Sequence, residues 1–243
     1  VYDRPAEPNL AAAQGAAPAL PPPAINAQMT DPLITSGLDA WFGGLAEEGR
    51  FNGAVLVARD GREIYASAHG VADLANRAPL DPDTRFAIAS IGKALTHVAI
   101  AQLIESGRLS PQTTLGEIIP DYPQAASRAA TIDQLINHRA GIADIFGPAF
   151  READKASFAA NADYFRFVAA QPPLFTPGER EEYCNGCYVV LGEIIARVSG
   201  QSYEDYVTAH VLTPANMTRS GFFRRDRLPE NAATFTGMPS GPE

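Results

Sequence analysis

Residues 86–96 decide the fold: Phe86-Ala87-Ile88-Ala89-Ser90-Ile91-Gly92-Lys93-Ala94-Leu95-Thr96. They open a segment with helical apolar spacing, Ile91 to Ser106 (Leu95, Val98, Ile100, Leu103, Ile104), and Gly107 sits where a C-terminal cap belongs. Ser90 and Lys93, at i and i+3, share one helix face. A serine hydroxyl is a poor nucleophile until a base takes its proton. Lysine serves as that base only when burial or neighbouring positive charge lowers its pKa. A helix N-terminus also offers backbone N–H groups for an oxyanion. The chain has 2 Lys against 17 Arg, and arginine is never deprotonated in a protein. Lys93 is therefore of the one cation type able to act as a base. Two readings fit this spacing by itself: a helix-cap serine beside a snorkelling lysine, or a nucleophile beside its base.

Working outward, Ile34 to Glu48 has helical spacing (Ile34, Leu38, Trp41, Phe42, Leu45). Asn52–Ala58 and Glu63–His69 read as two antiparallel strands joined at the hairpin signal Asp60-Gly61. A loop over Asn76–Thr84 follows. Further helices are expected over Ile132–His138, begun by Thr131 or Asp133, and over Asp163–Ala170, stopped by Pro172 and Pro173. Two more are expected over Gly186–Val198, ended by Gly200, and over Ser202–His210, opened by a Ser-x-x-Asp pattern close to a capping box. Two strands are few for 243 residues, and a two-stranded hairpin is marginal by itself.

The composition, 46% hydrophobic and 19% charged, excludes collagenous, coiled-coil and mainly disordered chains. No run of about 18 apolar residues occurs, so no transmembrane segment is expected. A net charge of −9 sets nucleic-acid binding aside, because that function needs a basic stripe. The local cluster Arg219, Arg224, Arg225 and Arg227 reads as a solvated surface. Residues 1–30 are rich in Ala and Pro, with Pro21-Pro22-Pro23 in a row, and read as a flexible segment ahead of one folded domain over 31–243. Val1 is expected to lie near a processed terminus, left after removal of a secretion signal, or to mark a trimmed chain.

Other residues carry weaker signals. Tyr183-Cys184-Asn185 supplies a phenol able to move a proton if an ammonium stabilises its phenolate, and an amide able to orient a carbonyl. Taken singly, such a tripeptide also reads as loop residues making local hydrogen bonds. Cys184 and Cys187 do not make a zinc site. They read as two small buried thiols, or as a disulfide-like clamp in an oxidising compartment. Each of His69, His97, His138 and His210 reads first as a structural histidine.

The segment around Ser90 resembles the nucleophile segment of the penicillin-recognising serine hydrolases. The nearest branch comprises class C β-lactamase-like proteins, D-alanyl-D-alanine carboxypeptidases, D-aminopeptidases and carboxylesterases. Leu135-Ile136-Asn137-His138-Arg139-Ala140-Gly141-Ile142 is similar to the family's Leu-Leu-x-His-x-Ser-Gly-Ile stretch. Phe175-Thr176-Pro177-Gly178 precedes Tyr183-Cys184-Asn185 as the family's Pro-Gly precedes its Tyr-x-Asn. Tyr188 to Gly192, Val198-Ser199-Gly200, Tyr203 and Met217-Thr218 continue the pattern, so the resemblance spans about residues 35 to 223.

The resemblance implies an α/β (α+β) fold, with a mostly antiparallel sheet flanked by helices beside an all-helical region. It implies Ser90 as acylated nucleophile, Lys93 as its base partner, Tyr183 as second proton-transfer group and Asn185 as substrate-orienting residue. The Ser90 backbone N–H would form half of an oxyanion hole. It implies no cofactor and no metal. The expected function is a secreted or periplasmic serine hydrolase acting through an acyl-enzyme on a β-lactam, a D-amino-acid peptide or a small carboxylic ester. The alternative is a non-catalytic binding or regulatory relative, or an inactive fragment. The family's third motif, a Lys or His followed by Thr or Ser and Gly on an inner strand, is not found, and neither is the strand supplying the second oxyanion donor. The chain is accordingly expected to be the N-terminal part of such a domain, lacking the C-terminal half of the sheet, with its own C-terminal fragment as an expected partner beside a small-molecule or peptide substrate. Cys184 and Cys187 stand where the family commonly has Ser and Gly. Both read as tolerated small residues.

Overall fold

The computed structural model describes residues 21–73, 77–224 and 226–234. Most of the Ala/Pro-rich segment, Arg225 and the end from residue 235 lie outside the described residues. The described residues divide into two compact units, one of those between 21 and 87 together with 230–234, the other of those between 88 and 229.

In the first unit, helix α1 (Asp31–Glu47) begins with Pro32 in its first turn, where the missing N–H costs nothing. It buries Ile34 and Leu38 against Tyr65. Strands β1 (Gly53–Arg59) and β2 (Arg62–His69) pair antiparallel from Gly53↔His69 to Arg59↔Arg62. The turn residues Asp60 (φ 52°) and Gly61 (φ 74°) are both left-handed, as the two-residue hairpin turn with matching twist requires. The Asp31 carboxylate accepts from Arg59, at 2.6 Å, and from Arg62, tying the helix start to the hairpin end. A short parallel bridge, Arg85↔Ala232, adds the segment near residue 232 to this unit.

The second unit is helical. Its elements are α2 (Lys93–Glu105), α3 (Leu115–Ile118), α4 (Ile132–Ile136), α5 (Pro148–Glu152), α6 (Asn161–Ala169), α7 (Asn185–Ser199) and α8 (Tyr203–Val207). Helix α7 is the axis of the core: Val190, Leu191, Ile194 and Ile195 are fully buried, at the i, i+1, i+4, i+5 spacing of an inward face. Ala99, Ile100 and Leu103 of α2, Ile132 and Leu135 of α4, and Val168 of α6 share the same cluster. Thr131 caps α4 through a reciprocal box with Gln134, and Gly200 ends α7 in the left-handed cap (φ 77°). Both follow from local side-chain chemistry.

Several elements differ from the sequence reading. Helix α2 starts at Lys93, because residues Ala89–Gly92 take a tighter 3₁₀ turn. The helix expected over Ser202–His210 is α-helical only to Val207. It then widens into a π-type turn over Thr208–Leu212, with Thr213 N–H donating back to Thr208 C=O. Helices α3 and α5 were not expected, being too short for a periodic pattern. In the arginine cluster, Arg224 is paired with Asp226 at 2.9 Å. Among the described residues the sheet has two strands, and no helix is long and apolar enough to cross a membrane.

Candidate active site

Ser90 sits in the 3₁₀ turn ahead of α2, directly after Ala89, whose φ of 45° is left-handed. A left-handed alanine costs about 1–2 kcal/mol, so the turn that presents Ser90 is held by its surroundings. Lys93 opens α2 one turn on, and the hydroxyl and ammonium therefore meet: Lys93 Nζ donates to Ser90 Oγ at 3.1 Å.

The other half of the cluster comes from the start of α7, about 90 residues later. Tyr183 Oη lies 2.6 Å from Ser90 Oγ and accepts from Lys93 Nζ at 2.7 Å. Lys93 Nζ also donates to Asn185 Oδ1 at 2.8 Å. The three N–H bonds of the ammonium thus point at three oxygens, on Ser90, Tyr183 and Asn185. The fold brings together all four residues singled out by the sequence. Tyr183 and Ser90 are exposed, so the cluster is open to a ligand from outside.

The electrostatics follow from these contacts. Donation by Lys93, then by Ser90, holds the Tyr183 phenol below its ordinary value against a smaller opposing effect of burial. Lys93 Nζ further lies 4.8 Å from the centre of the Tyr183 ring and 5.3 Å from that of Tyr188. Tyr188 is pushed up, by burial first and by Tyr183 second.

Two residues outside the sequence-level set build the cluster's support. Asp144 Oδ2 accepts from both the backbone N–H (3.0 Å) and the side-chain Nδ2 (3.1 Å) of Asn185. A carboxylate is acceptor-only, so the Asn185 amide nitrogen must face Asp144 and its oxygen must face Lys93. His138, read first as structural, packs its ring 4.6 Å from Tyr183 and accepts the Cys184 N–H at Nδ1 (3.1 Å). Asp144 carried no sequence signal, and His138 stood in the 135–142 stretch without a role attached; both lie some 40 residues from the groups they contact. The 138–144 segment is placed by close backbone approaches. A Cβ on Gly141 (φ 67°) would sit 2.0 Å from the Phe175 carbonyl oxygen, and one on Gly186 2.0 Å from that of Ala143.

Cys184 and Cys187 form a disulfide across the N-terminus of α7, and both are buried. Burial matches the sequence reading, but the thiol reading gives way to the clamp. With Cys184 at the N-cap and Cys187 in the first turn, their Cα atoms are 5.3 Å apart, within bridging range.

A sequence model of the family described as "Beta-lactamase" matches residues 38–242. The chain is 32% identical over 195 residues to Penicillin-binding protein 4* of Bacillus subtilis (strain 168), covering 79% of this chain and 43% of that protein. Its fold superposes on a penicillin-binding protein from Bacillus halodurans with a TM-score of 0.69 at 31% identity, covering 79% of this chain and 59% of the other. It superposes on EstCE1, described as a hydrolase with promiscuous acyltransferase activity, with a TM-score of 0.69 at 26% identity, covering 84% and 56%. The chain spans less than half the length of the curated relatives it matches. With a Ser-x-x-Lys pair, a facing tyrosine, and a fold of helices and a small antiparallel sheet, the chain belongs to the β-lactamase family.

Proposed function

We propose that this chain carries the nucleophile half of a serine hydrolase that works through an acyl-enzyme on amide or ester bonds. The observation that supports this most is the 2.6 Å contact between Ser90 Oγ and a Tyr183 Oη that already accepts from Lys93. Ser90 Oγ attacks the substrate carbonyl carbon as its proton passes to Tyr183 Oη. Lys93, as base partner, holds the negative charge of the phenolate and keeps it a ready acceptor. The carbon–leaving-group bond then breaks, and the leaving group takes that proton. Water next attacks the acyl carbon, gives a proton to Tyr183, and Ser90 Oγ recovers it as the acyl bond breaks. Asn185, its amide fixed by Asp144, orients the substrate carbonyl region.

The substrate is a β-lactam, a D-amino-acid peptide or a small carboxylic ester. The relatives named for penicillin binding support the first, and the likeness to EstCE1, described as a hydrolase with promiscuous acyltransferase activity, supports transfer of an acyl group. A secreted or periplasmic location fits the Cys184–Cys187 disulfide, which persists in oxidising compartments. The test is intact-mass spectrometry after incubation with a fluorophosphonate. One adduct on the wild-type chain, lost in Ser90→Ala, is expected. Absence of any adduct on folded protein favours the non-catalytic reading.

A further inference from the structure

His138 grips both neighbours of Tyr183. Its backbone carbonyl accepts the Glu182 N–H at 2.9 Å, and its Nδ1 accepts the Cys184 N–H at 3.1 Å. The Tyr183 ring packs on the imidazole between these two bonds. The residue holds this pose in a left-handed backbone conformation (φ 57°), uncommon outside glycine and enriched for Asn, Asp and His. We propose that His138 is a positioning residue for Tyr183, that it acts only as the neutral ring with its proton on Nε2, and that its protonation switches the cluster off in acid. This rests on the serine-hydrolase reading for its effect on rate, but the tautomer does not depend on that reading.

The chemistry is one of donor against acceptor. A neutral imidazole has one donor and one acceptor nitrogen, whereas imidazolium has two donors. The Cys184 N–H points at Nδ1, so a proton there would set two donors face to face and loosen the segment that carries Tyr183. The surroundings oppose that proton as well. Burial holds His138 below its ordinary value, and the Lys93 ammonium on α2 adds to this, with a smaller contribution from His97 on the same helix. The Glu181 carboxylate opposes them. The remaining titratable neighbours are the phenols of Tyr183 and, on α7, of Tyr188 (ring centres 5.3 Å apart). The nearby Glu182 carboxylate is engaged by Arg180.

The informative variant is His138→Asn. Its Oδ1 stands near the place of Nδ1, it tolerates the left-handed backbone, and it does not titrate. The second-order rate of Ser90 labelling by a fluorophosphonate would be followed from pH 4.5 to 9 for wild type, His138→Asn and His138→Ala. Wild type should lose labelling in acid with a midpoint below about 6.5. His138→Asn should stay within about fivefold of wild type at pH 8 and lack that acid step, keeping only the dependence that follows Tyr183, and His138→Ala should fall at least tenfold at pH 8. A pH profile of His138→Asn superposable on that of wild type, or a His138→Ala rate equal to wild type at pH 8, overturns the proposal. Independently of activity, ¹⁵N NMR of the wild-type imidazole should show an unprotonated Nδ1 at pH 8. A proton on Nδ1 there overturns the proposal even if labelling behaves as expected. Absence of labelling in wild type with the expected tautomer counts against the hydrolase reading instead.

Discussion

Asp144 accepts two hydrogen bonds from Asn185, at 3.0 and 3.1 Å, and by doing so turns the amide oxygen of Asn185 toward Lys93. Without the carboxylate only the Lys93 ammonium holds that orientation, and the Asn185 backbone N–H and amide nitrogen both lose their acceptor. Asp144→Ala is therefore expected to lower the Ser90 labelling rate at least tenfold, about 1.4 kcal/mol in the barrier. Labelling kinetics with far-ultraviolet circular dichroism as a folding control check this. An unaltered rate in a folded variant would remove Asp144 from the site.

Tyr183 should ionise before Tyr65, Tyr122, Tyr164, Tyr188 and Tyr203. Lys93 and Ser90 hold it below its ordinary value, whereas burial pushes Tyr65, Tyr164, Tyr188 and Tyr203 up and Tyr122 to about 12. In the proposed mechanism the proton acceptor is the phenolate, so the labelling rate should rise with pH through this ionisation. Absorbance titration of wild type minus Tyr183→Phe isolates it. In Lys93→Ala the same titration should move upward toward about 10, because the ammonium that donates to the phenolate is gone. A curve unmoved by Lys93→Ala contradicts the assigned contact.

Tyr183→Phe removes only the hydroxyl and keeps the ring that packs on His138. Loss of a positioned proton acceptor typically costs about 100- to 10,000-fold. The variant should therefore fold with an unchanged melting temperature and label at least 100-fold more slowly. A loss below tenfold would point to Lys93 as sole base.

Gly141→Ala should disturb the site through the backbone. The new methyl would meet the Phe175 carbonyl at 2.0 Å and would force a left-handed alanine. Strain and overpacking together come to about 3 kcal/mol, or a fall in Tm of about 6–12 °C for a chain of this size. Calorimetry reads this directly, and a Tm within 2 °C of wild type would be incompatible with the close approach.

The Cys184–Cys187 bridge closes a very short loop, so the chain-entropy model assigns it about 2 kcal/mol. Cys184→Ala combined with Cys187→Ala should lower Tm by about 4–8 °C. Alkylation of unfolded, unreduced protein should add no label, and alkylation after reduction should add two. Two labels before reduction would restore the thiol reading.

The features legible in the sequence are those fixed by neighbouring residues. Asp60-Gly61 gives a hairpin because both positions tolerate left-handed backbone. Thr131 and Gly200 bound their helices through bonds made within four residues. Ser90 and Lys93 meet because i and i+3 share a helix face, although the 3₁₀ turn that presents Ser90 was not visible in the apolar spacing. Tyr183 and Asn185 could be named from their resemblance to a motif. Their contact with Lys93, however, depends on α7 packing against α2 through Val190, Leu191, Ile194, Ala99 and Ile100. Asp144 had no local signature, and His138 had only its place in the 135–142 stretch, with no role attached. Their carboxylate and imidazole acquire a role only where the glycines at 141 and 186 let the backbone pass within van der Waals contact of its neighbours. Composition and short-range spacing thus determined which groups this protein has for chemistry and which helices carry them. Tertiary packing alone decided which way Asn185 faces, which nitrogen of His138 accepts, and whether a phenol meets a serine, because those depend on distances between segments some 40 to 90 residues apart in the chain.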